Sequence, residues 1–164
     1  MIQRRQTLYL LTIVILGVIL CFVSVLQFTT AEEDAVKRMF FLSAFGLEEV
    51  TDMTSQGLES VAFQGIWGLL LTSALIPLLA LVDIFLFKNR VLQARLNIFL
   101  AVLCIGYYGI LLMYVWFIRR AVDVADWNVC FGACIPLVCF ILTLGATRLI
   151  LKDEALVRAA DRLR

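Results

Sequence analysis

Five cysteines are the side chains of this chain best placed for chemistry: Cys21, Cys104, Cys130, Cys134 and Cys139. The chemistry would be thiol redox or nucleophilic work, which runs through the thiolate. Cys130 and Cys134 stand four residues apart and would share one face of a helix. No pair has CxxC spacing, and no cysteine falls in a loop where a structural disulfide would be useful. Cys130 and Cys134 also lack a charged neighbour to stabilise a thiolate. Packing as small apolar residues is therefore the expected role of all five. The chain contains no His, which removes the commonest general base, metal ligand and pH switch together. P-loop, GxGxxG, GxSxG and HExxH motifs are absent. The sequence therefore points away from an enzyme, with no catalytic residue, cofactor or metal expected.

The remaining polar side chains in apolar surroundings have structural readings. Asp83 lies about one turn from a basic loop, so interfacial anchoring to headgroups, Lys88 or Arg90 is expected rather than a proton or ion relay. Tyr107 and Tyr108 fall near the middle of an apolar stretch, and their hydroxyls need partners such as Thr72, Ser73 or Thr143. Pro77 and Pro136 interrupt two such stretches and are expected to kink helices. The small residues at Gly106, Gly109, Gly132, Ala133, Gly145 and Ala146 would let helices approach closely, although none forms a strict GxxxG.

The elements that must position these residues are four uncharged stretches, Gln6 to Ala31, Ser60 to Val82, Leu96 to Ile118 and Trp127 to Thr147. Each is long enough to cross a bilayer, which takes about 20 apolar residues. Hydrophobic residues make up 63% of the 164-residue chain, and the mean hydropathy is +0.99. The reading is all-α: a polytopic transmembrane four-helix bundle forming a single membrane domain. Its spans are expected at about 7–28, 61–86, 97–118 and 127–148, with an extracytoplasmic loop at 29–60, a cytoplasmic loop at 87–96 and a cytoplasmic amphipathic tail at 149–164. Nothing outside the spans is long enough for a soluble domain with its own core.

The net charge of +1 conceals an asymmetry. Arg4, Arg5, Lys88, Arg90, Arg95, Arg148, Lys152, Arg158, Arg162 and Arg164 fall on one side of this layout, which the positive-inside rule makes cytoplasmic. Both termini are then inside. Arg119 and Arg120 dissent at the outer end of the third span. Trp67, Trp116 and Trp127 all fall near the outer interface, where an aromatic belt belongs. The first apolar run follows Arg4 and Arg5 as in a signal peptide, but Leu8 to Phe28 exceeds the roughly 7–15 residues of such a segment. An uncleaved first helix is expected.

Two segments offer contact surfaces. The outer loop opens acidic at Glu32, Glu33 and Asp34, then carries Phe40, Phe41 and Phe45, which need cover from the bundle, the bilayer interface or a partner. Residues 36–45 have the imperfect alternation of a short strand or a turn. In the tail, Leu156, Ala160 and Leu163 recur on one helical face, with Glu154, Arg158 and Arg162 at four-residue steps on another. That pattern fits a solvated extension meeting anionic headgroups or a docking helix for a cytoplasmic partner. Asp153, Glu154 and Asp161 dilute the basic charge, which argues against nucleic acid.

Both ends of the chain carry a resemblance. The opening Met1-Ile2-Gln3-Arg4-Arg5-Gln6-Thr7-Leu8-Tyr9-Leu10 and the ending Lys152-Asp153-Glu154-Ala155-Leu156-Val157-Arg158-Ala159-Ala160-Asp161-Arg162-Leu163-Arg164 resemble those of small Bacteroidota membrane proteins, catalogued as domain of unknown function 4293. Arg5 stands where that pattern leads one to expect an aliphatic residue. The resemblance implies a bacterial inner-membrane protein with both termini inside, and supplies no activity or catalytic residue. Arg4 and Arg5 would then lie beside the acidic residues of the tail and clamp it to the first helix.

The function expected from the sequence is a non-enzymatic accessory or scaffold subunit of a membrane assembly; the alternative is a small oligomeric transporter or channel. Partners are the lipid bilayer and another inner-membrane protein or a second copy of the chain. Candidate partner or lipid contacts are Arg4, Arg5, Phe40, Phe41, Phe45, Glu154, Arg158, Arg162 and Arg164.

Overall fold

The computed structural model describes residues 5–30, 38–51, 60–64, 67–86, 89–121 and 124–162. Most of them lie in four helices: α1 (Arg5–Phe22), α2 (Trp67–Phe85), α3 (Arg90–Ala121) and α4 (Ile135–Arg162). α1 packs on α2 and α4, and α3 packs on the same two helices. Trp67–Phe85, Val91–Arg120 and Phe131–Lys152 are long and apolar enough to cross a membrane. The apolar stretch of α1, Gln6–Phe22, is shorter.

Each helix buries a narrow seam. In α1 the buried positions are Gln6, Leu10, Ile13, Gly17 and Leu20; in α3 they include Gln93, Asn97, Leu100, Cys104, Tyr107 and Leu111. Steps of four and three alternate along both, the 3.5-residue period of helices that wind about one another. Outside the seams the helices stay apolar, with residues such as Leu71, Ile98, Val102, Ile105, Leu112 and Ile141 exposed. An apolar seam within an apolar exterior is what a bilayer solvent permits, because lipid does not penalise the outer face.

The expected all-α class requires correction, because a five-stranded antiparallel sheet caps one end of the helices. Its strands are β1 (Leu26–Thr30), β2 (Arg38–Leu42), β3 (Leu47–Thr51), β4 (Ser60–Gln64) and β5 (Val124–Val129), ordered β4-β3-β2-β1-β5. Three of them occupy ends of the expected spans: the first span stops at Phe22, the second begins at Trp67, and α4 begins only at Ile135. The reason lies in backbone pairing. After Phe22, Val25 donates its N–H to Leu42 at 2.7 Å and accepts from Cys130 at 3.0 Å, so the chain leaves the helix for a ladder. In β1, Leu26 and Phe28 are buried on one face, while on the other Thr29 is buried and Gln27 partly exposed, so the strand is covered on most of both faces. The strand expected near residues 36–45 is present as β2, joined to β3 by a tight turn in which Ser43 N–H bonds Gly46 O at 2.9 Å.

Sheet and helices share one core. Leu26, Phe28, Phe40 and Leu42 pack in the same cluster as Leu10, Leu20, Leu69, Leu111 and Ile135. Two glycines set the closest approaches. A Cβ on Gly17 would lie 2.9 Å from Pro77 Cδ, so the Pro77 ring is seated on α1 where the helix has no side chain. A Cβ on Gly132 would lie 2.5 Å from the Ser24 carbonyl oxygen, at the junction of β1 with the short 3-10 turn Phe131–Cys134. Pro136, expected to kink a span, instead occupies the first turn of α4, where a missing N–H has no intrahelical partner to lose. From there α4 runs unbroken through the tail region to Arg162.

Candidate functional site

Two regions stand apart from ordinary apolar packing, one at each end of the helices. At the sheet end, Trp67 opens α2, Trp116 lies in the last turns of α3 and Trp127 lies in β5, and all three are exposed. They form the rim that an aromatic belt requires. Arg120 places its guanidinium 4.5 Å from the Trp116 ring centroid, a cation–π contact that accounts for one of the two dissenting arginines. β4 and β5 are the sheet's edges.

The phenylalanines of this end separate by face. Phe40 lies in the protein's own core, opposite Phe28 in the β1–β2 register, which answers the need for cover from within. Phe41 is half-buried, and Phe45 is 43% exposed with its ring 5.9 Å from that of Phe22. Of the expected contacts, Arg4 and Arg164 lie outside the described residues, as do the side chains of Arg5, Glu154, Arg158 and Arg162. The expected clamp between Arg4, Arg5 and the tail's acids therefore also falls outside them.

At the opposite end, α2 turns into α3 around a buried polar group that contains Asp83, the residue expected at the interface. Asp83 is 1% exposed, Gln93 2% and Asn97 0%. Asn97 Nδ2 donates to Asp83 Oδ2 at 2.6 Å, and Gln93 Nε2 donates to the Asp83 backbone carbonyl at 3.2 Å. Asp83 thus points into the bundle instead of out to headgroups; Lys88 and the side chain of Arg90 lie outside the described residues. Gln93 and Asn97 are the residues that sequence reasoning missed. Their spacing of four places both on one face of α3. Two amides on that face, one helix on from an apolar-flanked carboxylate, were the available signal.

Several of the other polar side chains bond to backbone carbonyls. Tyr108 OH donates to Ala133 O at 2.6 Å. Thr72, Ser73 and Thr143 donate to carbonyls of their own helices, so the expected bonds between them and the tyrosines do not form. Backbone carbonyls one turn away outcompete a partner across the bundle, as Ser and Thr commonly do in apolar helices. Tyr107 OH is buried without a hydrogen-bond partner among the described residues. All five cysteines are free thiols, and Cys130 has extended backbone ahead of the 3-10 turn. Cys130 and Cys134 therefore do not share a face of a regular α-helix, contrary to the expected spacing argument.

Residues 2–163 match the family model described as Domain of unknown function (DUF4293), and the chain belongs to that family. No curated protein matches the chain.

Proposed function

We propose that this chain is a non-enzymatic accessory or scaffold subunit of a bacterial inner-membrane assembly. In this reading α1 to α4 are a four-span bundle with both termini in the cytoplasm, and the sheet stands on the extracytoplasmic side. The resemblance of the chain's two ends to Bacteroidota membrane proteins agrees with a bacterial origin, and the basic residues of the 87–96 loop and tail favour that orientation. The observation that carries the proposal is the sheet itself. Its core is continuous with the helices, so it is held as a fixed platform, while Phe45, Trp127 and Val129 remain exposed on it. An extramembrane surface with two edge strands, β4 and β5, and exposed aromatic residues suits recognition of a second protein by strand addition or side-chain docking.

A second reading is a small oligomeric transporter or channel, and the buried Asp83–Gln93–Asn97 group favours it, since ionisable residues inside membrane helices often mark ion pathways. Mild-detergent co-purification separates the two. The full chain, tagged at native level, is recovered beside a variant carrying Phe45→Ala and Trp127→Ala on the sheet, and each is read by mass spectrometry. The accessory reading expects a reproducible membrane partner that survives stringent washing and whose recovery falls about tenfold in the variant, the loss that removing interface anchors brings. Recovery of self-copies alone, unchanged in the variant, would favour the oligomeric transporter.

A further inference from the structure

We propose that Asp83, Gln93 and Asn97 form a binding site for a monovalent alkali cation between α2 and α3. Three oxygens of this group, Asp83 Oδ1, Gln93 Oε1 and Asn97 Oδ1, are buried and accept no hydrogen bond among the described residues. Their orientation follows from chemistry. Both amide nitrogens are already directed at oxygens of Asp83, one at the carboxylate and one at the backbone carbonyl. Each amide nitrogen is taken up by an oxygen of Asp83, and flipping either would set oxygen against a carboxylate or carbonyl oxygen, so the amide oxygens are the atoms left without a partner beside the Asp83 carboxylate. The group is therefore an excess of acceptors, and buried polar atoms are costly when left unmatched.

What matches them must bring positive charge or donors. No ion pair to Asp83 occurs among the described residues; its carboxylate meets only the neutral Asn97 amide. With Asp83 ionised, one carboxylate and two neutral carbonyl oxygens make a hard-oxygen set with a single negative charge. A monovalent cation neutralises that charge. Ca2+ collects six to eight oxygens, often from several carboxylates, and Mg2+ demands near-ideal octahedral geometry and keeps several waters. Either would leave net positive charge in an apolar bundle. The three ligands come from the end of α2 and the start of α3, so an ion held here would also fasten the α2–α3 turn.

The test uses the purified full-length chain in detergent, with thermal unfolding measured in sodium, potassium or choline chloride at equal ionic strength. Sodium or potassium is expected to raise Tm over choline by about 3–6 °C at a concentration ten times Kd. Asp83→Asn should abolish that difference. Gln93→Met, which keeps side-chain length and leaves the carboxylate, should reduce it even if Asp83→Asn fails to fold. Sodium-23 line broadening that disappears in Asp83→Asn would report the bound ion directly. Equal Tm in all three salts would overturn the site, pointing to water. A Tm that follows pH and ignores the cation would assign the place to a proton. A cation response present only after Lys88→Gln or Arg90→Gln would assign it to an internal base.

Discussion

Gly132→Ala should destabilise the protein by about 3 kcal/mol, near the upper end of ordinary overpacking costs. The new methyl would stand 2.5 Å from the Ser24 carbonyl oxygen, a backbone atom that cannot rotate away. Ser24 itself is held between α1 and β1, where the neighbouring Val25 is bonded on both sides, to Leu42 and Cys130. Relief would require β1, β5 and the 3-10 turn to move together. Gly106→Ala is the matched control: nothing lies within 4 Å of a Cβ there, and the helix gains an alanine. Thermal unfolding in one detergent should place Gly106→Ala within about 1 kcal/mol of the parent and Gly132→Ala far below it. Equal stabilities would show that the close junction of sheet and helices is wrong.

Phe28→Ala is expected to cost about 3–5 kcal/mol, the range for emptying a buried aromatic site. Phe28 is fully buried in β1, between Phe40 of β2 and Trp127 of β5 in the register. It also belongs to the cluster that contains the inward faces of the helices. Removing it should loosen sheet and helices in one transition, since they share one continuous apolar core. Phe45→Ala removes an exposed ring that pairs with Phe22 and should cost only about 1 kcal/mol. Limited proteolysis of the sheet followed alongside helix melting by circular dichroism checks the point. Loss of the sheet with helix melting unchanged would mean that the two parts fold separately.

The helices were legible because lipid and protein neighbours demand the same thing, long uncharged runs, and the chain supplies them. The tail's helical continuation was legible too, having neither Gly nor Pro to stop it. The sheet was hidden by that same uniformity. Leu26 to Thr30 reads as the end of an apolar span, and only pairing with Met39–Leu42 and Val124–Val129 makes it a strand. Met39–Leu42 left a trace in the imperfect alternation of residues 36–45, but Val124–Val129 lies about a hundred residues away, and local pattern carries no sign of that pairing. Phe40 and Phe45 show the consequence: read as loop residues they look equivalent, whereas strand alternation and the turn send one inward and leave the other out. Asp83 was misplaced for a similar reason. Its neighbours in sequence are a basic loop, but its partner in space is Asn97, fourteen positions along on the next helix.

We propose that the membrane-embedded helices present the folded sheet on the extracytoplasmic side, with α4 ending in the cytoplasm. Single cysteines introduced at Asn128 and at Lys152, in a background with the five native cysteines replaced, test it through a membrane-impermeant maleimide on intact spheroplasts. Asn128 is an exposed position of β5 and Lys152 an exposed position of α4. Labelling of Asn128→Cys from outside, with Lys152→Cys reacting only after the membrane is opened, is the predicted result. The reverse pattern, or labelling of both from one side, would contradict it.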